Sequence, residues 1–104
     1  MAIVQKIKDP KHSEKYIEAD FNKRWKAAGG LSIKMCDPNN SGMPDRLFLN
    51  TDATFFIEFK SKGQKPRPLQ IHMIEELRKR GHDVYVSDSV ETNSEILDKY
   101  VKGK

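Results

Sequence analysis

The apolar positions of this chain change period several times, and each change predicts an element. From Ser13 to about Ala28, apolar Ile17, Phe21, Trp25 and Ala28 recur at steps of three or four, which is one face of an amphipathic helix. Gly29-Gly30 stops it. Leu31 to Cys36 reads as a short strand, and the following Asp37 to Pro44, dense in Asn, Gly and Pro, as an exposed loop. Arg46 to Asn50 and Thr54 to Lys60 are apolar or aromatic runs parted by Thr51-Asp52-Ala53, the pattern of a β-hairpin. A basic loop beginning at Ser61 leads into a helix with Pro68 in its first turn, Leu69, Met73 and Leu77 as its buried stripe, and a stop at Gly81 after Arg80. Val84-Tyr85-Val86 mark a last strand, Asp83 to Ser87. Asp88 is expected to cap a final helix, with Glu91 three positions on as its reciprocal partner and Ile96, Leu97, Tyr100 and Val101 facing inward.

The order is α-β-β-β-α-β-α, an α/β chain whose mixed sheet is flanked by helices. At 104 residues there is room for one modest core, so a single domain over 1–104 is expected, with 1–12 and 102–104 as tails. No apolar run approaches the ~20 residues that cross a bilayer, and the first residues lack the apolar stretch of a signal peptide, so a cytoplasmic protein with no membrane partner is expected. Cys36 is the only cysteine, which excludes an intrachain disulfide and a cysteine cluster for zinc. The formal net charge of +4 favours a polyanionic partner. That weak signal gains weight because Lys60, Lys62, Lys65 and Arg67 lie together, whereas the acids are spread along the chain.

Chemistry concentrates on the second hairpin strand. Side chains alternate across a sheet, so Thr54, Phe56, Glu58 and Lys60 share one face while Phe55, Ile57 and Phe59 share the other. A carboxylate and an ammonium on so apolar a strand are costly unless they neutralise one another or bind something. Asp45 begins the preceding strand, and antiparallel pairing carries that start to the end bearing Glu58, so the two acids converge. Two carboxylates in contact repel unless a cation lies between them, and oxygen ligands that leave room for water and phosphate suit Mg2+, with Mn2+ as a substitute. Zinc is disfavoured, because His12, His72 and His82 show no ligand spacing. Such a cation would activate water and polarise a phosphodiester, and Lys60 would stabilise the charge that develops. The plainer alternative is a salt-bridged hairpin edge without catalytic purpose.

Taken in order, Gly42-Met43-Pro44-Asp45-Arg46, Phe56-Ile57-Glu58-Phe59-Lys60 and Lys65-Pro66-Arg67-Pro68-Leu69-Gln70 resemble the VRR-NUC family of virus-type replication-repair nucleases. This is a branch of the PD-(D/E)xK superfamily, and the similarity runs from about Ser13 to Val101. The resemblance implies a restriction-endonuclease-like core in which Asp45, Glu58 and the backbone carbonyl of Phe59 bind the divalent cation. It further implies that Lys60 is the catalytic lysine and Gln70 a site residue on the next helix. Family members carry an acid on the first helix. Glu14 and Glu18 are both available, and Glu18 is preferred as catalytic residue and metal ligand because it borders the buried face. Lys34, Lys62, Lys65 and Arg67 are expected on DNA. Small stand-alone members look like Holliday-junction resolvases, which implies branched DNA as substrate, a homodimer making two symmetric cuts, and a bacterial or phage-infected cytoplasm. The rivals are a nickase or restriction-type nuclease on duplex, and a non-cleaving DNA-binding module of the same fold.

Overall fold

The first helix, α1, runs from Glu14 to Ala27 and begins where Ser13 caps it: the Ser13 hydroxyl accepts from the Tyr16 N–H at 3.1 Å. The structure, a computed structural model, describes residues 9–36 and 42–101. Gly29 ends the helix in the left-handed region (φ +91°). Strands β1 (Leu31–Lys34), β2 (Arg46–Leu49) and β3 (Thr54–Phe59) follow, each ending one or two residues short of the predicted run. Then come α2 (Pro68–Lys79), β4 (Asp83–Ser87) and α3 (Val90–Tyr100). Most of the loop from Asp37 to Pro44 lies outside the described residues, as do 1–8 and 102–104 of the predicted tails. Residues 9–12 are described, and Pro10–His12 close into a single 3-10 turn.

The four strands form one sheet in the order β1-β2-β3-β4. β1, β2 and β3 are an antiparallel meander, and α2 is the crossover that returns β4 parallel to β3. On one sheet face Phe48, Phe55, Ile57 and Phe59 meet Ile17, Phe21 and Trp25 of α1 and Ile96 and Leu97 of α3. The aromatic rings pack largely edge to face, Phe21 on Phe48 at 4.7 Å and Trp25 on Phe55 at 5.1 Å. The predicted inner faces of α1 and α3 are therefore the observed ones, except that Ala28 is exposed at the C-cap of α1.

Two expectations need correction. Leu69, Met73 and Leu77 are not the buried stripe of α2: Leu69 is 52% exposed, and the side chains that turn inward are Gln70 and Ile74. Asp88 is not the cap of α3; Ser89 is, its hydroxyl accepting from the Thr92 N–H at 3.0 Å.

Gly30 joins α1 to β1 against the indole of Trp25, whose Nε1 donates to the Leu31 carbonyl at 3.1 Å. A Cβ on Gly30 would lie 2.1 Å from Trp25 Nε1. Trp25 is held on all sides by the core, so Gly30→Ala is expected to destabilise the fold by about 2–3 kcal/mol, as overpacking does. Urea unfolding checks this, and a loss below ~0.5 kcal/mol, the range of indifferent surface changes, would show that the indole moves freely.

Candidate active site

Asp45 stands one residue before β2, and the register pairing Arg46 with Ile57 sets it across from Glu58. Its Oδ2 accepts from the backbone N–H of Phe59 at 2.8 Å, while its own carbonyl accepts from the Met35 N–H at 2.9 Å. The chain arrives from buried Gly42 and Pro44, which run against α2 so closely that a Cβ on Gly42 would meet the Leu69 carbonyl at 2.8 Å. Asp45 is thus held by its strand partner on one side and by the approach of its loop on the other.

Glu58 is 1% exposed and projects from β3 on the face opposite the aromatic core. Its Oε2 accepts from Gln70 Nε2 at 2.7 Å and faces Lys60 Nζ at 3.3 Å. Gln70 is fixed in turn, because its Oε1 accepts from the Arg67 N–H at 2.8 Å in the first turn of α2. Lys60 is held through its backbone, its N–H donating to the Ser87 carbonyl at 2.9 Å. Glu58 Oε1 has no hydrogen-bond partner, and it is the only buried carboxylate oxygen so placed among the described residues.

The electrostatics point the same way. Burial raises the Asp45 carboxyl above its ordinary range against the Phe59 N–H, and the charges of Glu18 and Glu14 add to the rise. Burial and the neighbouring Asp45 push Glu58 up to about 7, although Lys60 pulls it down. Both acids are thus held, chiefly by burial, in surroundings that disfavour their charged forms.

Glu18, the preferred first-helix acid, lies near enough to Asp45 to act on its charge and is itself ion-paired. Its Oε2 accepts from Arg46 Nε at 2.6 Å and pairs with Lys34 Nζ at 3.4 Å, so its charge is already balanced by the two basic residues that face each other across β1 and β2. Glu14, one turn earlier on the same helix face, acts electrostatically on both Asp45 and Glu58 and has no ion pair among the described residues. Of the expected DNA contacts, Lys34 is engaged with Glu18, whereas Lys62, Lys65 and Arg67 are exposed and form no ion pair among the described residues.

Among the described residues no three His, Cys, Asp or Glu side chains converge on a metal position by themselves. Two carboxylates with a free buried oxygen and a nearby main-chain carbonyl nevertheless fit Mg2+, which keeps several waters and commonly takes only one or two protein carboxylates. They do not fit zinc, which prefers a closed nitrogen and sulfur set.

A helix, a three-strand meander, a crossover helix and a parallel fourth strand, with Asp45 and Glu58-x-Lys60 at one strand end, make a restriction-endonuclease-like nuclease fold. The VRR-NUC domain profile matches residues 14–91, and the chain belongs to the VRR-NUC family. A protein named for nuclease activity, p44 of Acyrthosiphon pisum secondary endosymbiont phage 1, is 35% identical over 82 residues, which cover 78% of this chain and 84% of that one. A solved VRR-NUC domain superposes with a TM-score of 0.77 at 32% identity, covering 84% of this chain and 96% of its own.

The raised Glu58 has a thermodynamic consequence. With a folded-state value near 7 against 4.5 for the free side chain, the native protein holds a proton across that interval which the unfolded chain has released. Stability of the metal-free protein therefore falls as pH rises from about 4.5 to about 7, by on the order of 2 kcal/mol or ~10 °C in Tm. Melting in chelator at pH 5 and pH 8, with Glu58→Gln as reference, is expected to show the decline in the wild type only. Identical pH profiles for the two proteins would mean that Glu58 is not strained.

Proposed function

We propose that this nuclease domain is a divalent-cation-dependent DNA endonuclease whose working side chains are Asp45, Glu58, Lys60 and Gln70, with Glu14 as the first-helix acid in place of Glu18. The observation that carries the reading is the buried, unpartnered Oε1 of Glu58 beside a second carboxylate that is also short of positive charge. A buried structural ion pair is stabilising only when further hydrogen bonds satisfy its remaining oxygens; here Glu58 Oε1 is left without one.

Asp45, Glu58 and the Phe59 carbonyl would hold Mg2+ or Mn2+, and Glu14 would act through water. When bound, the cation supplies Lewis-acid polarisation of the phosphate and a lowered pKa for water. The chain's own groups do the rest. Gln70 donates to Glu58 Oε2 and leaves Oε1 directed at the ligand. Lys60, largely buried beside Glu58, places a fixed cation where charge grows on the phosphoryl oxygens, which counts for more in a partly desolvated site than in water. Arg46 and Lys34 hold Glu18 in ion pairs, which leaves Glu14, one turn away, as the first-helix acid without one among the described residues.

The resemblance to stand-alone resolvase-like members carries the finer reading: branched DNA as substrate, cut by two copies of the chain in a homodimer. An Mg2+-dependent assay on a cruciform plasmid and a linear duplex tests it. Preferential resolution of the cruciform is expected, and equal cutting would sink the junction preference while leaving the nuclease intact.

Lys60→Ala and Glu58→Ala are expected to lower cleavage by at least ~100-fold. Glu14→Gln should do so with little change in Tm. Glu18→Gln should instead lower the melting temperature by breaking its partly buried pair with Arg46, and affect cleavage less. If Glu18→Gln is the inactive, stable variant, the assignment of the two acids is reversed. If the wild type cuts no form of DNA with Mg2+ or Mn2+, the domain is a binding module.

A further inference from the structure

The segment between β3 and α2 carries three exposed cations, Lys62, Lys65 and Arg67, yet its backbone is tied down at both ends. The Lys62 N–H donates to the His12 carbonyl at 2.9 Å, and the Gly63 N–H to Asp88 Oδ2 at 3.1 Å. The Arg67 N–H donates to Gln70 Oε1 at 2.8 Å. Within the segment the Gln64 N–H closes a turn on the Ser61 carbonyl at 2.9 Å, with Gly63 in the left-handed region (φ +82°). His12 and Asp88 lie far from the segment in sequence, whereas the Arg67–Gln70 bond is the local capping pattern of α2. The main chain is tied at these points while the ammonium and guanidinium groups form no ion pair among the described residues. Asp88 spends its oxygen on a peptide N–H.

We propose that Asp88 is a positioning residue for nucleic acid, its carboxylate acting through the Gly63 N–H to hold Ser61–Arg67 in the shape that presents Lys62, Lys65 and Arg67 to successive backbone phosphates. The proposal rests on the nuclease reading above and adds to it how the strand beside Lys60 is gripped. A preformed cationic loop loses less conformational freedom on binding than a loose one, so its cations act together. Asp88 touches no substrate; a carboxylate on a phosphate-binding surface would by charge alone oppose the ligand.

That opposition gives the test its sign. Binding of a fluorescein-labelled DNA duplex to the full chain is measured by anisotropy in EDTA, where no cleavage occurs, across a salt titration. Removing a negative charge strengthens phosphate binding if Asp88 acts only through electrostatics, so Asp88→Ala and Asp88→Asn would then both bind more tightly. Positioning predicts the reverse for Asp88→Ala: affinity about tenfold weaker and a shallower salt slope, as fewer phosphates are engaged. Asp88→Asn keeps an oxygen acceptor for Gly63 and is expected to bind at least as well as the wild type. In a double-mutant cycle, Lys65→Ala costs affinity in the wild type and much less in the Asp88→Ala background. Wild-type or tighter affinity for Asp88→Ala overturns the proposal, as does equal weakening of Asp88→Ala and Asp88→Asn. Failure of the wild type itself to bind at low salt overturns the grip, while the nuclease reading stands or falls separately on Mg2+-dependent cleavage.

Discussion

The hydrogen bond from the Phe59 N–H to Asp45 Oδ2 depends on a single choice of strand register, and the rest of the site depends on that bond. Pairing Arg46 with Ile57 sets Asp45 opposite Glu58. The register is enforced on the other side of the sheet, where Phe55, Ile57 and Phe59 are fully buried against α1 and α3. A slip by one residue would turn the three core side chains into solvent and Glu58 into the aromatic core. Hydrophobic burial therefore fixes the positions of the acids, whose charged forms are disfavoured first by their own burial and then by each other. Folding and the proposed chemistry are two faces of one strand.

Around this pair the charges divide into those with partners and those without. Glu18 is balanced by Arg46 and Lys34, and Asp20 by Arg24 at 2.6 Å on the same helix. Buried Asn93 donates to the Ile17 carbonyl and to Asp20 and accepts from Ser87, so α1, α3 and β4 are locked by a satisfied polar network. These groups hold α1 against the sheet. Glu14, Asp45, Glu58 and the loop cations are among the groups whose charge is not fully answered within the described chain.

Much of this was legible in the residues before the coordinates. The periods of α1, β3 and α3, the meander and the crossover follow from local patterning, because those elements bury apolar side chains on one face and nothing competes. The phase of α2 was not legible. A search for apolar residues selects Leu69, Met73 and Leu77, but the inward position belongs to Gln70, whose amide is satisfied at both ends by Arg67 and Glu58. A buried polar side chain with long-range partners leaves no apolar signal. The cap of α3 failed for a related reason: Asp88 and Ser89 are both good N-caps, and only the distant Gly63 reveals that Asp88 is already engaged. The choice between Glu14 and Glu18 is likewise undecidable on the helix alone, since both share a face. What the helix could not show is that Arg46, twenty-eight residues beyond Glu18, already holds that acid.

The carboxylates and the basic loop would pull a phosphate in opposite directions. Lys62, Lys65 and Arg67 attract the backbone to the end of β3, whereas Asp45 and Glu58 repel the phosphoryl oxygens that must come close for cleavage. Lys60 answers part of that repulsion but is itself paired with Glu58, and one ammonium does not neutralise two acids. Under the proposed function the two features become compatible only with a hard cation between acids and phosphate, which turns the repulsion into shared ligation. The loop then sets where DNA lies, and the carboxylates set whether a phosphate can be seated. On that reading binding and cleavage would depend on different groups of this chain, because the loop is built from backbone ties and unpaired charges while the proposed centre is built from buried acids.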